Sequence, residues 1–211
     1  ECSRGSQTFD FYDKKTQLKG LKLGLIGQFQ AQNAGLAIAA CLKFLGGSKE
    51  SEIRKGLEAV HWEGRLEVVS DSPTVVLDCA HNVASVRNMT SEVRKNIDFD
   101  RCFVILGLMK DKEIDNIIEI LSQFGDLFFL VQVNPERGET TEKLKEKLNK
   151  YNKPVQVSES VSDALQAAKK FAKPKDLVCI TGSFYTVAEA KKCFQHEKNL
   201  TNPGSAPHPR K

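Results

Sequence analysis

The 211-residue sequence lacks the glycine-rich loops with which enzymes hold phosphates or expose a nucleophile. It contains no G-x-x-x-x-G-K-[ST] loop, no G-x-G-x-x-G segment after a strand and no G-x-S-x-G turn. The first absence excludes a phosphate loop supplied by this sequence, and the second argues against a dinucleotide-dependent oxidoreductase. The chain can therefore contribute to a nucleotide site but does not carry the loop that would build one.

Long apolar runs and clustered charge are also missing. The longest apolar-rich segment, residues 31–45, is interrupted by polar residues and is too short to span a bilayer. The first residue is Glu1, with no basic-then-apolar leader, so we expect a non-secreted piece of a longer protein. The net charge of +4 comes from dispersed lysines, which is typical of solubility. We expect neither a membrane nor a nucleic acid as partner.

The six cysteines include no C-x-x-C pair and no spacing suited to zinc. Cys79, Cys102 and Cys179 fall in or at the ends of predicted strands, where a free thiol packs as a small hydrophobe. This usage predicts a reducing, cytoplasmic location, with the mitochondrion as the alternative if the source is eukaryotic. A catalytic cysteine is disfavoured because no His and Asn converge on one.

Apolar periodicity divides the sequence into a helical part, an α/β domain and a tail. Residues 1–61 hold a candidate strand at residues 8–12, an alanine-rich helix that ends at Gly46 and a second helix capped by Ser48. No sheet for these helices is visible within this part, so we expect their packing partner elsewhere. The tail, residues 196–211, has too little apolar content to fold and is expected to be disordered.

Residues 62–195 alternate strands and helices and predict a Rossmann-like three-layer α/β domain with a mainly parallel, six-stranded sheet. The predicted strands are residues 66–70, 74–78, 102–107, 127–133, 155–157 and 177–181. The predicted helices are residues 83–96, 113–124, 141–150, 161–171 and 184–194. The tight connection at residues 71–73 predicts that the first two strands pair antiparallel at one edge.

Polar residues follow four of the predicted strands at the point where each strand ends. After the apolar run of residues 75–77 come Asp78, His81 and Asn82. The other three sets are Gly107, Lys110 and Asp111; Asn134 and Arg137; and Thr181, Gly182 and Ser183. Because the carboxyl ends of parallel strands meet at one edge of a sheet, these sets predict a ligand crevice there.

Each candidate also has a purely structural interpretation, which the sequence leaves open. Arg65, at the junction of the two parts, suits a bidentate phosphate or carboxylate clamp or an ordinary surface loop. Asp78 suits a ribose diol or a cationic group, or it is a solvated strand-end acid. Asn82 is placed to cap a helix, Lys110 to join a self-paired charge cluster, and capping is the favoured role for Ser183 taken by itself.

Five segments taken in order closely resemble the folylpolyglutamate synthase/dihydrofolate synthase family of the Mur ligase superfamily. They are residues 27–34 (GQFQAQNA), 62–67 (WEGRLE), 77–82 (LDCAHN), 107–112 (GLMKDK) and 181–185 (TGSFY). The resemblance implies an ATP-dependent ligase that phosphorylates a folate or dihydropteroate carboxylate and couples the acyl phosphate to L-glutamate. It implies that residues 62–195 are the C-terminal domain and that residues 1–61 are the end of an ATPase domain.

The residues to which the resemblance assigns roles are Arg65, Asp78, His81, Asn82, Lys110 and Ser183. It implies that Arg65 contacts the ATP phosphates and that Asp78 contacts the ribose or the incoming glutamate. His81 and Ser183 would meet the glutamate and the reacting region. Asn82 would support the loop or the nucleotide, and Lys110 would line the cleft. Mg²⁺ would accompany ATP, with its ligands mostly in an N-terminal ATPase domain that this sequence does not contain.

The sequence departs from the family at two motif positions. Phe29 stands where His or Tyr is common, and Cys79 stands where Gly is common and could crowd its loop. We expect a truncated synthase that is inactive alone, or one half of a split enzyme that needs a complementary N-terminal ATPase domain. The rival interpretations are a non-catalytic module that binds glutamate or nucleotide, and another Mur-superfamily ligase that acts on cell-wall precursors.

Overall fold

A computed structural model of the chain describes residues 2–3, 6–45 and 50–201. The N-terminal elements are β1 (Cys2–Ser3), β2 (Ser6–Tyr12), β3 (Gln17–Leu23), α1 (Gln28–Leu45) and α2 (Glu50–Ala59). They are followed by β4 (Glu67–Asp71), β5 (Thr74–Leu77), α3 (Val83–Asn96), β6 (Cys102–Leu106), α4 (Ile114–Phe124), β7 (Leu127–Leu130), α5 (Thr141–Asn149), β8 (Val155–Val157), α6 (Val161–Phe171), β9 (Leu177–Thr181) and α7 (Phe184–Thr201). The helix stop predicted at Gly46 and the cap predicted at Ser48 lie outside the described residues.

The second part of the chain is built on one six-stranded sheet with the order β4-β5-β9-β6-β7-β8. β4 pairs antiparallel with β5 at one edge, and every other neighbouring pair is parallel. Both features confirm the sequence prediction. β6 and β9 lie in the middle of the sheet and are buried along their whole length, which is why their sequences are almost continuously apolar.

Helices cover both faces of this sheet and give the domain two apolar layers. Cys102, Val104 and Leu106 of β6 pack with residues of α3, α4 and α5 on one face. Phe103 and Ile105 pack with residues of α6 and α7 on the other face. The side chains alternate because successive residues of a strand point to opposite faces. Because β5, β9, β6 and β7 run parallel, their carboxyl ends share one edge of the sheet, as predicted.

The expectation that α1 and α2 lack a sheet within the N-terminal part is wrong. β2 and β3 form an antiparallel pair, and Leu18 and Leu21 of β3 pack against Ile38 of α1 and against partly buried side chains of α2. The pair is hard to see in the sequence because these leucines break the two-residue alternation of a regular strand. A bulge around Gly20, which has a φ of 61°, shifts the register between them.

The last helix is longer than predicted. α7 extends to Thr201, past the predicted end at residue 194 and into the stretch that we expected to be disordered. No Gly or Pro interrupts this stretch before Pro203, so its backbone chemistry does not stop a helix earlier. The remainder of the predicted tail, residues 202–211, lies outside the described residues. Within the described ranges, α7 included, no helix is long and apolar enough to cross a membrane.

A buried carboxylate anchors the start of β9. Asp176 accepts hydrogen bonds from the Arg101 guanidinium at 2.6 and 3.2 Å and from the Lys173 N–H at 2.7 Å. Burial works to raise the pKa of Asp176, but the Arg101 guanidinium and the Lys173 N–H outweigh burial and lower the pKa below its ordinary 3.8. The fold therefore stabilises the ionised form of this side chain.

Asp176→Asn is expected to lower the free energy of unfolding at neutral pH by about 2 kcal/mol, an amount that allows for the partly exposed Arg101. Because the folded-state pKa of Asp176 is lowered, its contribution is fully present above the ordinary value of 3.8 and is lost as the pH falls below it. Urea unfolding across that range should show wild-type and variant stabilities converging at the acid end. The exposed Asp98 provides the control Asp98→Asn, which should change neither the free energy of unfolding nor its dependence on pH. If the stability difference between wild type and Asp176→Asn did not depend on pH, the lowered pKa of Asp176 would be contradicted.

Candidate functional site

Asp78 ties the turn that carries Arg65 to the end of β5. One carboxylate oxygen accepts the Leu66 N–H at 2.9 Å, and the other accepts the Ala80 N–H at 2.8 Å. The side chain is only 4% exposed. Burial raises the pKa of Asp78 above its ordinary value, although the two N–H donors and the nearby Arg65 and His81 work to lower it. Asp78 is therefore a buried carboxylate that holds the turn by hydrogen bonds, and it is not the solvated strand-end acid of the structural alternative.

The Arg65 turn has a backbone that few residues can adopt. Gly64 and Leu66 have φ values of 65° and 47°, in the left-handed region. A Cβ at Gly64 would lie 2.7 Å from the Cys79 Sγ, and the Gly64 carbonyl accepts the Cys79 N–H at 2.9 Å. The turn thus accommodates Cys79 because Gly64 has no side chain. Burial raises the pKa of Cys79 to about 11, so its thiol stays neutral.

A cavity of about 420 Å³ opens beside this turn, between the start of α1 and the start of α3. Its lining combines apolar and hydrogen-bonding side chains, namely Leu25, Phe29, Gln30, Asn33, Trp62, Arg65, Asp78, Ser85, Asn88 and Met89. Two predicted site residues, Arg65 and Asp78, are brought together here. The pocket therefore lies where the N-terminal elements meet the α/β domain, and both parts of the chain contribute to its wall.

The ring of Phe184 contacts both His81 and Arg65. The rings of His81 and Phe184 have centroids 5.5 Å apart, and the Arg65 Cζ lies 5.9 Å from the centroid of the same Phe184 ring. The His81 Nδ1 is 2.8 Å from the Cys79 carbonyl oxygen. Since a carbonyl only accepts, Nδ1 carries the hydrogen in this contact and Nε2 remains as the ring atom for a ligand.

Asn82 and Ser183 occupy helix starts. The Asn82 Oδ1 accepts the Ser85 N–H at 2.9 Å, and the Ser85 hydroxyl accepts the Asn82 N–H at 3.1 Å, which is a capping box. The Ser183 hydroxyl accepts the Thr186 N–H at 3.1 Å and lies 2.7 Å from the Thr186 hydroxyl. Ser183 is 3% exposed. In this structure both side chains make the capping contacts of their structural alternatives.

Lys110 lies apart from the pocket although it follows a strand of the same edge. Its Nζ donates to the Glu136 carbonyl at 3.0 Å, and its N–H donates to the Arg137 carbonyl at 2.9 Å. The loops after β6 and β7 are thereby joined to each other. Because β9 separates β6 from β5, Lys110 is two strand positions away from Asp78. The predicted sets share an edge, but the structure gathers only part of them into one pocket.

Sequence reasoning assigned no site role to the α1 and α3 residues of the pocket. Phe29, Gln30 and Asn33 come from the first turns of α1, and Asn88 comes from α3. The signal for the first three was the 27–34 segment, which carried the family resemblance without a site role. The start of α1 is held against α3 because the Gln28 N–H donates to the buried Glu92 carboxylate at 3.1 Å, an anion at the positive end of a helix.

Metal ligands are not part of this arrangement. Across residues 2–3, 6–45 and 50–201, no three His, Cys, Asp or Glu side chains are grouped so that they could hold a metal ion. Carboxylates of the pocket are likewise few, since Asp78 is the one acid in its lining. The residues described therefore do not fit a Mg²⁺ site of their own.

Comparison with known proteins identifies similar sequences that extend well beyond this chain. The family model described as "Mur ligase, glutamate ligase domain" matches residues 64–184. A probable bifunctional folylpolyglutamate synthase/dihydropteroate synthase of Haloferax volcanii is 33% identical over 81% of this chain and 20% of that protein. The dihydrofolate synthase/folylpolyglutamate synthase of Escherichia coli K12 is 32% identical over 90% of this chain and 43% of that protein.

Among solved structures, E. coli FolC in complex with DHPP and ADP is similar with a TM-score of 0.79 and 30% identity. The similarity covers 92% of this chain and 46% of that chain. The chain thus spans less than half of the length of each of these relatives.

Proposed function

Since the chain belongs to the Mur ligase family, with a glutamate ligase domain over residues 64–184, we propose that it is the C-terminal part of an ATP-dependent folylpolyglutamate or dihydrofolate synthase. In the proposed reaction, ATP phosphorylates a carboxylate of a folate or dihydropteroate. The amine of L-glutamate then attacks the acyl phosphate, so that an amide forms and inorganic phosphate leaves. The names of the relatives support the folate branch over a ligase for cell-wall precursors.

The pocket beside Arg65 is the observation that carries this proposal. Trp62 and Phe29 offer aromatic surface for a flat base, and Gln30 and Asn33 offer amide groups for its polar edge. Arg65 adds a fixed positive charge for phosphates. The volume of about 420 Å³ lies within the usual range for small-molecule sites. These features support a nucleotide bound between the N-terminal elements and the α/β domain.

We assign roles around this pocket by what each side chain has left to offer. Arg65 is assigned to the nucleotide phosphates, because a guanidinium presents parallel donors to an anion. Asp78 is assigned to the ribose or the glutamate amine, because its carboxylate borders the pocket while it holds the turn. His81 is assigned to the glutamate through Nε2. These groups would position the reactants and stabilise transferring charge, without a covalent intermediate on the protein.

Asn82, Ser183 and Lys110 receive supporting roles in the proposal. Asn82 would act through the start of α3, whose residues border the pocket. Ser183 would reach glutamate only if its hydroxyl exchanged its contact with Thr186 for the ligand. Lys110 would line the far side of a cleft that reaches across β9.

ATP turnover also needs a phosphate loop and Mg²⁺ ligands, which we assign to a complementary N-terminal ATPase domain. The exposed face of α1 supports such a partner, because Leu36, Phe44 and Leu45 are 76%, 90% and 60% exposed. Lys43 is the only charged residue in the whole helix. From Ala34 to Leu45 the helix carries no polar side chain besides Lys43, and a helical stretch that is apolar on all sides is typical of a protein interior. We therefore assign this face of α1 to contact with the ATPase domain.

Activity is expected only when the chain is mixed with the portion of the E. coli relative that lies outside the match. The assay is phosphate release that depends on ATP, L-glutamate and either dihydropteroate or tetrahydrofolate. Phe44→Glu should abolish the activity of the mixture, because it places a charge on the contact face of α1. Ser51→Glu adds the same charge on the exposed surface of α2 and should leave the activity unchanged.

Each alternative outcome of this assay would support a different function for the chain. Turnover by the chain alone would contradict the need for a second domain. No turnover in either sample, with glutamate or nucleotide still bound, would favour the non-catalytic binding module. Turnover with a cell-wall precursor in place of the folate would transfer the proposal to another branch of the superfamily.

A further inference from the structure

Lys191 of α7 reaches across to the turn that carries Arg65. Its Nζ lies 2.8 Å from the Glu63 carboxylate and 3.0 and 3.3 Å from the two Glu67 oxygens. The side chains of Lys191 and Glu67 are only 17% and 11% exposed. Glu63 and Glu67 stand two residues before and two residues after Arg65. One cation on a separate helix thus binds both acids that flank the proposed phosphate contact.

The contact continues from Glu67 into the backbone of the turn. The Glu67 Oε2 accepts the Gly64 N–H at 2.7 Å, so the carboxylate joins Lys191 to the turn itself. On the opposite side Asp78 holds the Leu66 N–H, as described above. Burial works to lower the pKa of Lys191, but the two carboxylates outweigh burial and raise the pKa, so the amine stays charged. His61 also faces Glu67, with its Nε2 3.8 Å from the carboxylate.

We propose that Lys191 is a positioning residue for nucleotide binding, which fixes the turn from Glu63 to Glu67 and so presents Arg65 to the phosphates. Two physical effects support this role. The ion pairs restrict the turn, so that Arg65 does not have to be ordered when the ligand binds. They also keep two carboxylates occupied that would otherwise compete with phosphate for the Arg65 guanidinium. The inference rests on the proposed function, in which Arg65 binds nucleotide phosphates.

ADP binding to the intact chain provides the test, with Trp62 as the reporter. Trp62 is the only tryptophan of the sequence, and it lines the pocket, so its fluorescence should change on binding. Lys191→Met is expected to weaken ADP binding about tenfold, the scale of one charge-assisted contact. Lys191→Arg keeps the charge and should restore most of the affinity. Lys192→Met removes the neighbouring exposed lysine of α7 and should bind as the wild type does.

Amide hydrogen exchange separates this proposal from the function on which it rests. Exchange at Gly64 and Leu66 should be faster in Lys191→Met and normal in Lys191→Arg, while the central strands exchange as in the wild type. Unchanged ADP affinity in Lys191→Met would overturn the positioning role, whatever the exchange rates are. A tenfold loss that Lys191→Arg does not restore would also overturn it. If the wild type gives no response to ADP, the nucleotide function fails, and the exchange rates alone then decide whether Lys191 fixes the turn.

Discussion

Arg65→Ala is expected to weaken ADP binding to the chain by about 100-fold and to abolish phosphate release by the mixture with the complementary domain. The estimate follows from two charge-assisted hydrogen bonds to phosphate, each worth about 1.5 to 3 kcal/mol, with part of this free energy recovered by water in the open pocket. Among the described residues, Arg65 is the one cationic side chain in the lining of the pocket, so no other residue of the lining can replace its charge. Titration followed by Trp62 fluorescence would measure the affinity.

Two further variants make this result specific. Arg65→Lys retains the charge but loses the planar fork of donors, so we expect an intermediate affinity. Arg87→Ala removes an exposed arginine of α3 that does not line the pocket, and it should leave the affinity unchanged. Equal affinity for ADP in the wild type and in Arg65→Ala would contradict nucleotide binding in this pocket. A loss in Arg87→Ala of the same size would point instead to a general effect of positive charge.

Asp78→Ala is expected to lower the free energy of unfolding by about 2 to 4 kcal/mol and to remove ADP binding as well. The substitution leaves the Leu66 N–H and the Ala80 N–H without their acceptor, and each unpaired buried donor costs about 1 to 3 kcal/mol. Relief of the buried charge offsets part of that cost. Because Leu66 follows Arg65 directly, a released turn also misplaces the guanidinium. Urea unfolding and the fluorescence titration would measure the two effects.

The stabilisation by Asp78 should depend on pH in the opposite sense to that by Asp176. Burial raises the folded-state pKa of Asp78 above its ordinary 3.8. Its stabilising contribution is therefore fully present below that ordinary value and decreases as the pH rises through the raised pKa. The stability difference between wild type and Asp78→Ala should accordingly narrow as the pH rises from acid to neutral. A difference that widens over this range would contradict the raised pKa, and Asp98→Ala provides the exposed control.

Local patterns predicted most of the α/β domain because its signals lie within single segments. The predicted bounds of α3 and α6 agree with the structure, as do those of β8 and β9. In each case a continuous apolar run or an amphipathic period begins and ends at residues with clear capping or turn chemistry. The β2 and β3 pair was only partly predicted, because the bulge around Gly20 interrupts the alternation on which strand prediction depends.

The site divides in the same way between local and distant information. The parallel direction of the strands follows from the alternation of strands and helices. It correctly placed the loops after β5, β6, β7 and β9 at one edge of the sheet. Which loops meet is a matter of order within the sheet, and there β9 separates β5 from β6. This insertion leaves Lys110 outside the pocket, although in sequence it looked equivalent to Asp78.

By itself the sequence determined the fold class, the family resemblance and the choice of Arg65, at the junction of the two parts, and of Asp78, at the end of a strand, as site candidates. Only the tertiary structure decided which distant groups surround that pair. Gln30 and Asn33 reach the pocket from α1 because Glu92 holds the start of that helix against α3, and Lys191 reaches the turn from α7. The physical reason is that burial and ion pairing depend on contacts between residues far apart in the chain, for which one sequence has no local pattern.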